Sequence, residues 1–189
     1  MPYLLRAAIA AILGLCGLSA QASLIGDQVE IQWYYPDTAT PVAPSFGPFT
    51  VQAGTADQQV ETTQDIYFNV EASSLHIEFD PANGPIAWLD AVFNGPVFQD
   101  LDYLGAPGSV ISAVSVASSV TGFSSDRVSF GDDFVAVNFA GLVHTGGQVD
   151  IDLTFAVPEP STLLLMGMGV AVLAGLRWRV RKSEKSAVG

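Results

Sequence analysis

Val149-Asp150-Ile151-Asp152-Leu153-Thr154-Phe155 is the stretch that decides the fold. Apolar residues stand at the odd positions, and acids or threonine at the even ones. A period of two is the pattern of a strand with one face buried and one in water. Val149, Ile151 and Phe155 are β-branched or aromatic, types that fit a pleated, half-buried surface. Gly146-Gly147 just before them marks a turn.

The same reading extends upstream. Phe134–Phe139 follows a Gly131-Asp132-Asp133 turn, and Val128–Phe130, Val110–Val120 and Val97–Leu101 read as further strands. Leu75–Asp80 sets Leu75, Ile77 and Phe79 on one face and His76, Glu78 and Asp80 on the other. Ser73-Ser74 joins it to Ile66–Ala72 as a hairpin. Asn83-Gly84-Pro85 and Asn94-Gly95-Pro96 read as two similar turns around a segment holding Trp88, because asparagine and glycine tolerate the left-handed region. The first strand is Gln28–Tyr35, with Val29, Ile31, Trp33 and Tyr35 on one side, and Pro36 ends it. Pro41, Pro44 and Pro48 predict a loop leading to a strand at Phe49–Ala53. About nine or ten short strands without a helical period predict an all-β domain over residues 23–156, a two-sheet antiparallel β-sandwich.

That domain carries seventeen Asp and Glu against one base, Arg127, a net charge of −16. Such a surface repels nucleic acid and anionic lipid. Arg127 is expected to pair with a nearby acid. Catalytic signatures are missing: there is no Gly-x-Ser-x-Gly elbow, phosphate loop or His-Glu-x-x-His. Among seventeen acids, chance carboxylate pairs are plentiful, so a glycosidase pair carries no signal. His76 lies on the polar face of a strand and His144 just before a Thr-Gly-Gly turn, and both are expected to face solvent. Asp100-Leu101-Asp102 resembles the start of a calcium loop, but Leu104 and Ile111 stand where ligands belong. Asp100/Asp102 and Asp132/Asp133 leave a weak Ca²⁺ site open; the plainer reading is turn acids bound to their own backbone. No catalytic residue, metal site or cofactor is assigned. Of the aromatics Trp33, Tyr34, Tyr35, Trp88 and Tyr103, Trp33 and Tyr35 fall on the core side, which leaves Tyr34 and Trp88 to test for sugar stacking.

Both flanks read as addresses. Residues 1–22 have one early base, Arg6, an apolar run from Ala7 to Ala20, and the small-x-small pattern Ala20-Gln21-Ala22. They form a secretory signal peptide cut after Ala22. Cys16, the only cysteine, goes with it, so the mature chain has no thiol and no disulfide. At the other end stand Val157-Pro158-Glu159-Pro160-Ser161-Thr162, an uncharged run Leu163–Leu176, and a basic cluster of Arg177, Arg179, Arg181 and Lys182. The two prolines hold Val157 and Glu159 extended. The apolar run has no polar face and is short for a membrane span, but Thr162 through Val180 reaches the needed length if Arg177 and Arg179 snorkel. Excess positive charge keeps residues 183–189 cytoplasmic and the domain outside.

This three-part segment, residues 157–182, resembles the PEP-CTERM sorting signal of exopolysaccharide-producing Gram-negative bacteria. The same segment is also labelled an ice-binding-protein C-terminal domain, which is no evidence of ice binding. The resemblance implies that exosortase, a membrane-embedded cysteine transpeptidase, recognises Val157, Pro158, Glu159 and Pro160 and cuts near them. Gly26-Asp27, Phe93-Asn94-Gly95 and Asp126-Arg127-Val128-Ser129-Phe130 further resemble a group of small ectodomains found with this signal, which implies a compact β domain and no known activity. The expectation is an exported, non-catalytic protein. It is held transiently in the inner membrane by one C-terminal transmembrane helix, then placed at the cell surface or in the exopolysaccharide matrix. Its role there is structural or binding. The alternatives are a carbohydrate-binding module and, with less in its favour, a secreted glycan hydrolase.

Overall fold

The computed structural model describes residues 23–54, 57–60, 66–102, 108–156, 167, 169 and 170. The signal peptide, the sorting motif and the basic cluster lie outside these residues. So does most of the expected membrane helix, of which Gly167, Gly169 and Val170 are described and are helical. Among the described residues no helix is long and apolar enough to cross a membrane.

The strands belong to one compact unit, Ala20–Val157. In chain order they are β1 Gln28–Tyr34, β2 Pro41–Thr50, β3 Gln58–Val60, β4 Ile66–Val70, β5 Ser74–Phe79, β6 Pro85–Ala87, β7 Gly95–Gln99, β8 Val110–Ser118, β9 Val128–Phe130, β10 Val135–Val137, β11 Val143–Thr145 and β12 Gly147–Ala156. One five-stranded sheet has the order β2-β1-β7-β10-β9, the other β3-β4-β5-β12-β8, and β11-β6 is a separate two-stranded ladder. The pairings are antiparallel throughout.

Val149–Phe155 lies within β12, which sits between β5 and β8. Val149, Ile151 and Leu153 are buried, while Asp152 and Thr154 are exposed, so the alternation is the burial pattern. Its inner face meets Leu75, Ile77 and Phe79 of β5 and Phe68 of β4 in one core. Val29, Ile31 and Trp33 of β1, Phe98 of β7, and Val135 and Val137 of β10 enter the same core from the other sheet. Phe68 and Phe98 meet edge to face across the two sheets, centroids 5.8 Å apart. Each such side chain removed from water contributes roughly 1.5–3 kcal/mol.

Three local expectations change. The proline-rich loop is a strand: Pro41, Pro44 and Pro48 fall within β2. β2 is the edge of its sheet, where a residue without an N–H leaves no neighbour unpaired. Two bulges between β1 and β2 absorb the irregular backbone. Asn94-Gly95-Pro96 is no left-handed turn; Gly95 starts β7 and its φ is not positive. By contrast Gly84 has φ 79° and follows the short 3-10 turn Pro81–Asn83, as expected of a turn glycine. Lastly, β3, β6 and β11 were not expected as strands; each has only three residues.

Candidate functional site

The outer face of β4, β5 and β12 carries polar rows set by register. Tyr67 faces Glu78, which faces Gln148, and Asn69 faces His76, which faces Asp150. His76 Nδ1 meets the Asp150 carboxylate, and Gln148 Nε2 donates to the other Asp150 oxygen at 3.1 Å. Glu71 is clamped beside this row: its Oε1 accepts from Asn69 Nδ2 at 3.0 Å and from the Gly54 N–H at 2.9 Å. Asp80 accepts from the Ala82 N–H at 2.8 Å and so starts the Pro81–Asn83 turn at the end of β5. Gly54, Tyr67, Asn69, His76, Glu78, Asp80 and Pro81 together line a groove of about 530 Å³. The groove offers carboxylate acceptors, one imidazole and one phenol ring. It suits a ligand rich in hydroxyl donors and disfavours an anion.

A second constellation is internal. Trp33 and Trp88 stack with centroids 5.1 Å apart, and Phe139 lies against Trp88 at 5.6 Å. Phe79 contacts Phe139 at 5.1 Å and His144 at 4.6 Å. Both indole N–H groups are satisfied: Trp33 Nε1 donates to Asn94 Oδ1 at 3.1 Å and Trp88 Nε1 to His144 Nε2 at 3.0 Å. His144 Nε2 therefore carries no proton, and Nδ1 donates to the Gly146 carbonyl at 3.0 Å. Burial lowers the His144 pKa below its ordinary value, so the ring is neutral at pH 7.

These contacts correct two expectations. His144 is buried, not solvent-facing, and accepts from the indole N–H of Trp88, which packs against the core. Trp88 is half-buried against the core, with its ring stacked on Trp33 and Phe139, and is no free stacking platform for a sugar. Tyr34 packs beside Phe93, Val97 and Ala136, and its hydroxyl accepts from Gln99 Nε2 at 3.2 Å. His76 does face outward, and Trp33 is on the core side as read; Tyr35 is only half-buried. Tyr103 lies outside the described residues. Arg127 donates to the carbonyls of Asn138 and Ala140, at 3.3 and 2.9 Å, instead of the expected acid. Sequence reasoning missed Asn94 and Asn138. Asn138 Oδ1 accepts from the Asn94 N–H at 3.1 Å and the Ala140 N–H at 3.0 Å, and Asn94 Nδ2 donates to the Leu89 carbonyl at 3.2 Å. The available signal was an inward tryptophan whose N–H must find a partner.

Of the two acidic pairs read from the sequence, Asp132/Asp133 is joined to the Asp100/Asp102 segment through the backbone. The Leu101 N–H donates to the Asp133 carbonyl at 2.9 Å, and the Ile111 N–H to the Asp132 carbonyl at 2.8 Å. Among the described residues no three His, Cys, Asp or Glu side chains already stand together as metal ligands.

No curated protein and no solved structure matches the chain. Residues 156–182 match the family described as the PEP-CTERM protein-sorting motif, so the chain carries that sorting motif directly after β12.

Proposed function

We propose that this is an exported, non-catalytic protein that exosortase sorts to the cell surface or the exopolysaccharide matrix, where its β domain binds glycan. The match of residues 156–182 to the sorting motif carries the first half of this reading. The motif implies recognition by exosortase and passage through the membrane. A signal peptide over residues 1–22, a single membrane helix from Thr162 through Val180 and the basic cluster Arg177, Arg179, Arg181 and Lys182 complete the route. The test is intact-mass analysis of the protein from the medium and the membranes of its host. The expected species outside the membrane starts at Ser23 and ends near Pro158–Pro160. Changing Pro158 and Pro160 to alanine is expected to abolish its release, and unchanged release would overturn the sorting reading.

The groove on β4 and β5 supports the second half. Tyr67 supplies a ring for a sugar face, and Glu78 and Asp80 supply acceptors for hydroxyls. The surrounding acids favour a neutral or amine-bearing glycan over a uronate. The released protein is expected to be retained on neutral polysaccharide from its host. Tyr67→Ala is expected to weaken that retention about tenfold, the equivalent of ~1.4 kcal/mol. A wild-type protein that runs through unretained leaves a structural role in the matrix and removes the binding one.

A further inference from the structure

Asp27 is 5 % exposed. Its Oδ1 accepts from the Gln28 N–H at 2.8 Å, but its Oδ2 has neither water contact nor a hydrogen-bond partner. The backbone holds it in place: the Asp27 N–H donates to the Leu24 carbonyl, and the Asp27 carbonyl accepts from the Val51 N–H, both at 2.9 Å. A buried carboxylate with an empty oxygen is costly unless a proton or a cation joins it.

No base supplies that partner. Arg127 is the only Lys or Arg in residues 23–156, and its guanidinium is committed to two carbonyls. Acids gather there instead. Glu30 of β1 pairs with Gln99 of β7, so Asp27 enters β1 where Asp100 and Asp102 leave β7. Asp100 sits at φ 60°, which turns the chain out of the strand there. Burial and then the like charges of Asp102 and Asp100 raise the Asp27 pKa. The Asp132 and Asp133 carbonyls are tied to the same end through Ile111 and Leu101.

We infer that the Asp27 carboxylate, together with Asp102, binds a divalent cation, Ca²⁺, at this end of the domain. The donors are all oxygens, which selects a hard cation. A donor set of carboxylate and carbonyl oxygens suits the flexible coordination of Ca²⁺ better than the octahedron that Mg²⁺ demands. Because no three acidic side chains already converge, carbonyl and water oxygens complete the shell. The affinity then falls in the weak range of extracellular modules, a Kd of about 10⁻⁴–10⁻³ M. An exported protein meets Ca²⁺ at such levels outside the cell, so the ion joins the fold after export.

The test is thermal unfolding of the full-length protein in detergent, with about 5 mM CaCl₂ against EGTA at matched ionic strength, about five to fifty times the expected Kd. Ca²⁺ is expected to raise the wild-type Tm by about 3–6 °C. Asp27→Asn keeps the shape, removes the charge and should lose that shift. Asp102→Asn should reduce it, while Asp152→Asn on the exposed face of β12 keeps it. Equal wild-type Tm values in Ca²⁺ and EGTA would overturn the site. So would a full response in both Asp27→Asn and Asp102→Asn, which would assign the effect to general screening of the acidic surface.

Discussion

Phe139→Ala is expected to destabilise the β domain by about 4 kcal/mol, the size seen when a large aromatic is removed from a packed core. Phe139 is fully buried. Its ring meets Trp33 at 6.4 Å, Phe79 at 5.1 Å, Trp88 at 5.6 Å and Phe123 at 5.4 Å. Those partners come from different parts of the fold: Trp33 from one sheet, Phe79 from the other, and Trp88 from the segment after β6. Alanine opens a cavity at the point where they meet, and no one element can shift to fill it without leaving another. Urea unfolding followed by tryptophan fluorescence is the measurement, with a lower midpoint and an unchanged slope. Val143→Ala is the reference, since Val143 is 61 % exposed and a surface change of that kind stays within about 0.5 kcal/mol. A Phe139 loss no larger than the Val143 loss would mean that the aromatic cluster collapses freely and does not join the sheets.

What the residues reveal by themselves follows from which physical term dominates locally. Where burial on one face sets the strand, as in β1, β5 and β12, period two gives both the element and its inward residues. β2 escapes that logic because its prolines argue against a strand, and only its place at a sheet edge makes them tolerable. β3, β6 and β11 have three residues each, too few for any period to register. The sorting motif was legible in full because it is a linear code of prolines, apolar length and charge, read without tertiary structure. The groove was half legible: the outward placement of His76 and Glu78 follows from alternation, but their union with Gly54 and Tyr67 depends on strand order. His144 and Trp88 were misread because a histidine beside a turn and a tryptophan between turns look exposed locally. The burial of His144 and the packing of Trp88 against the core are tertiary facts, joined by an indole N–H that needs an acceptor.

Gly95 shows the same limit and carries the second large effect. In sequence it stands between Asn94 and Pro96 and looks like a turn glycine, a residue needed for its conformation. In the fold it is needed for its lack of a side chain. A Cβ at Gly95 would lie 1.9 Å from the Val137 carbonyl oxygen, 3.1 Å from the carbonyl carbon and 3.4 Å from Phe139 Cδ2. The opposing atoms are backbone of β10, a central strand held by β7 on one side and β9 on the other, so they have no room to withdraw. Gly95→Ala is expected to cost about 3 kcal/mol, the upper part of the range for overpacking. Displacing β7 also strains Asn94, which holds the Trp33 N–H and is itself held by Asn138. Gly131→Ala separates crowding from rigidity. There the added Cβ would lie 2.2 Å from the Phe134 ring, as severe a clash, but that ring is 38 % exposed and can swing into solvent. Its expected cost is about 1 kcal/mol, the lower end of the same range. Urea midpoints of the two variants decide the matter. A Gly95 variant threefold costlier than the Gly131 variant places the constraint in the β10 backbone, whereas equal costs would mean that β7 and β10 part as easily as an exposed ring turns.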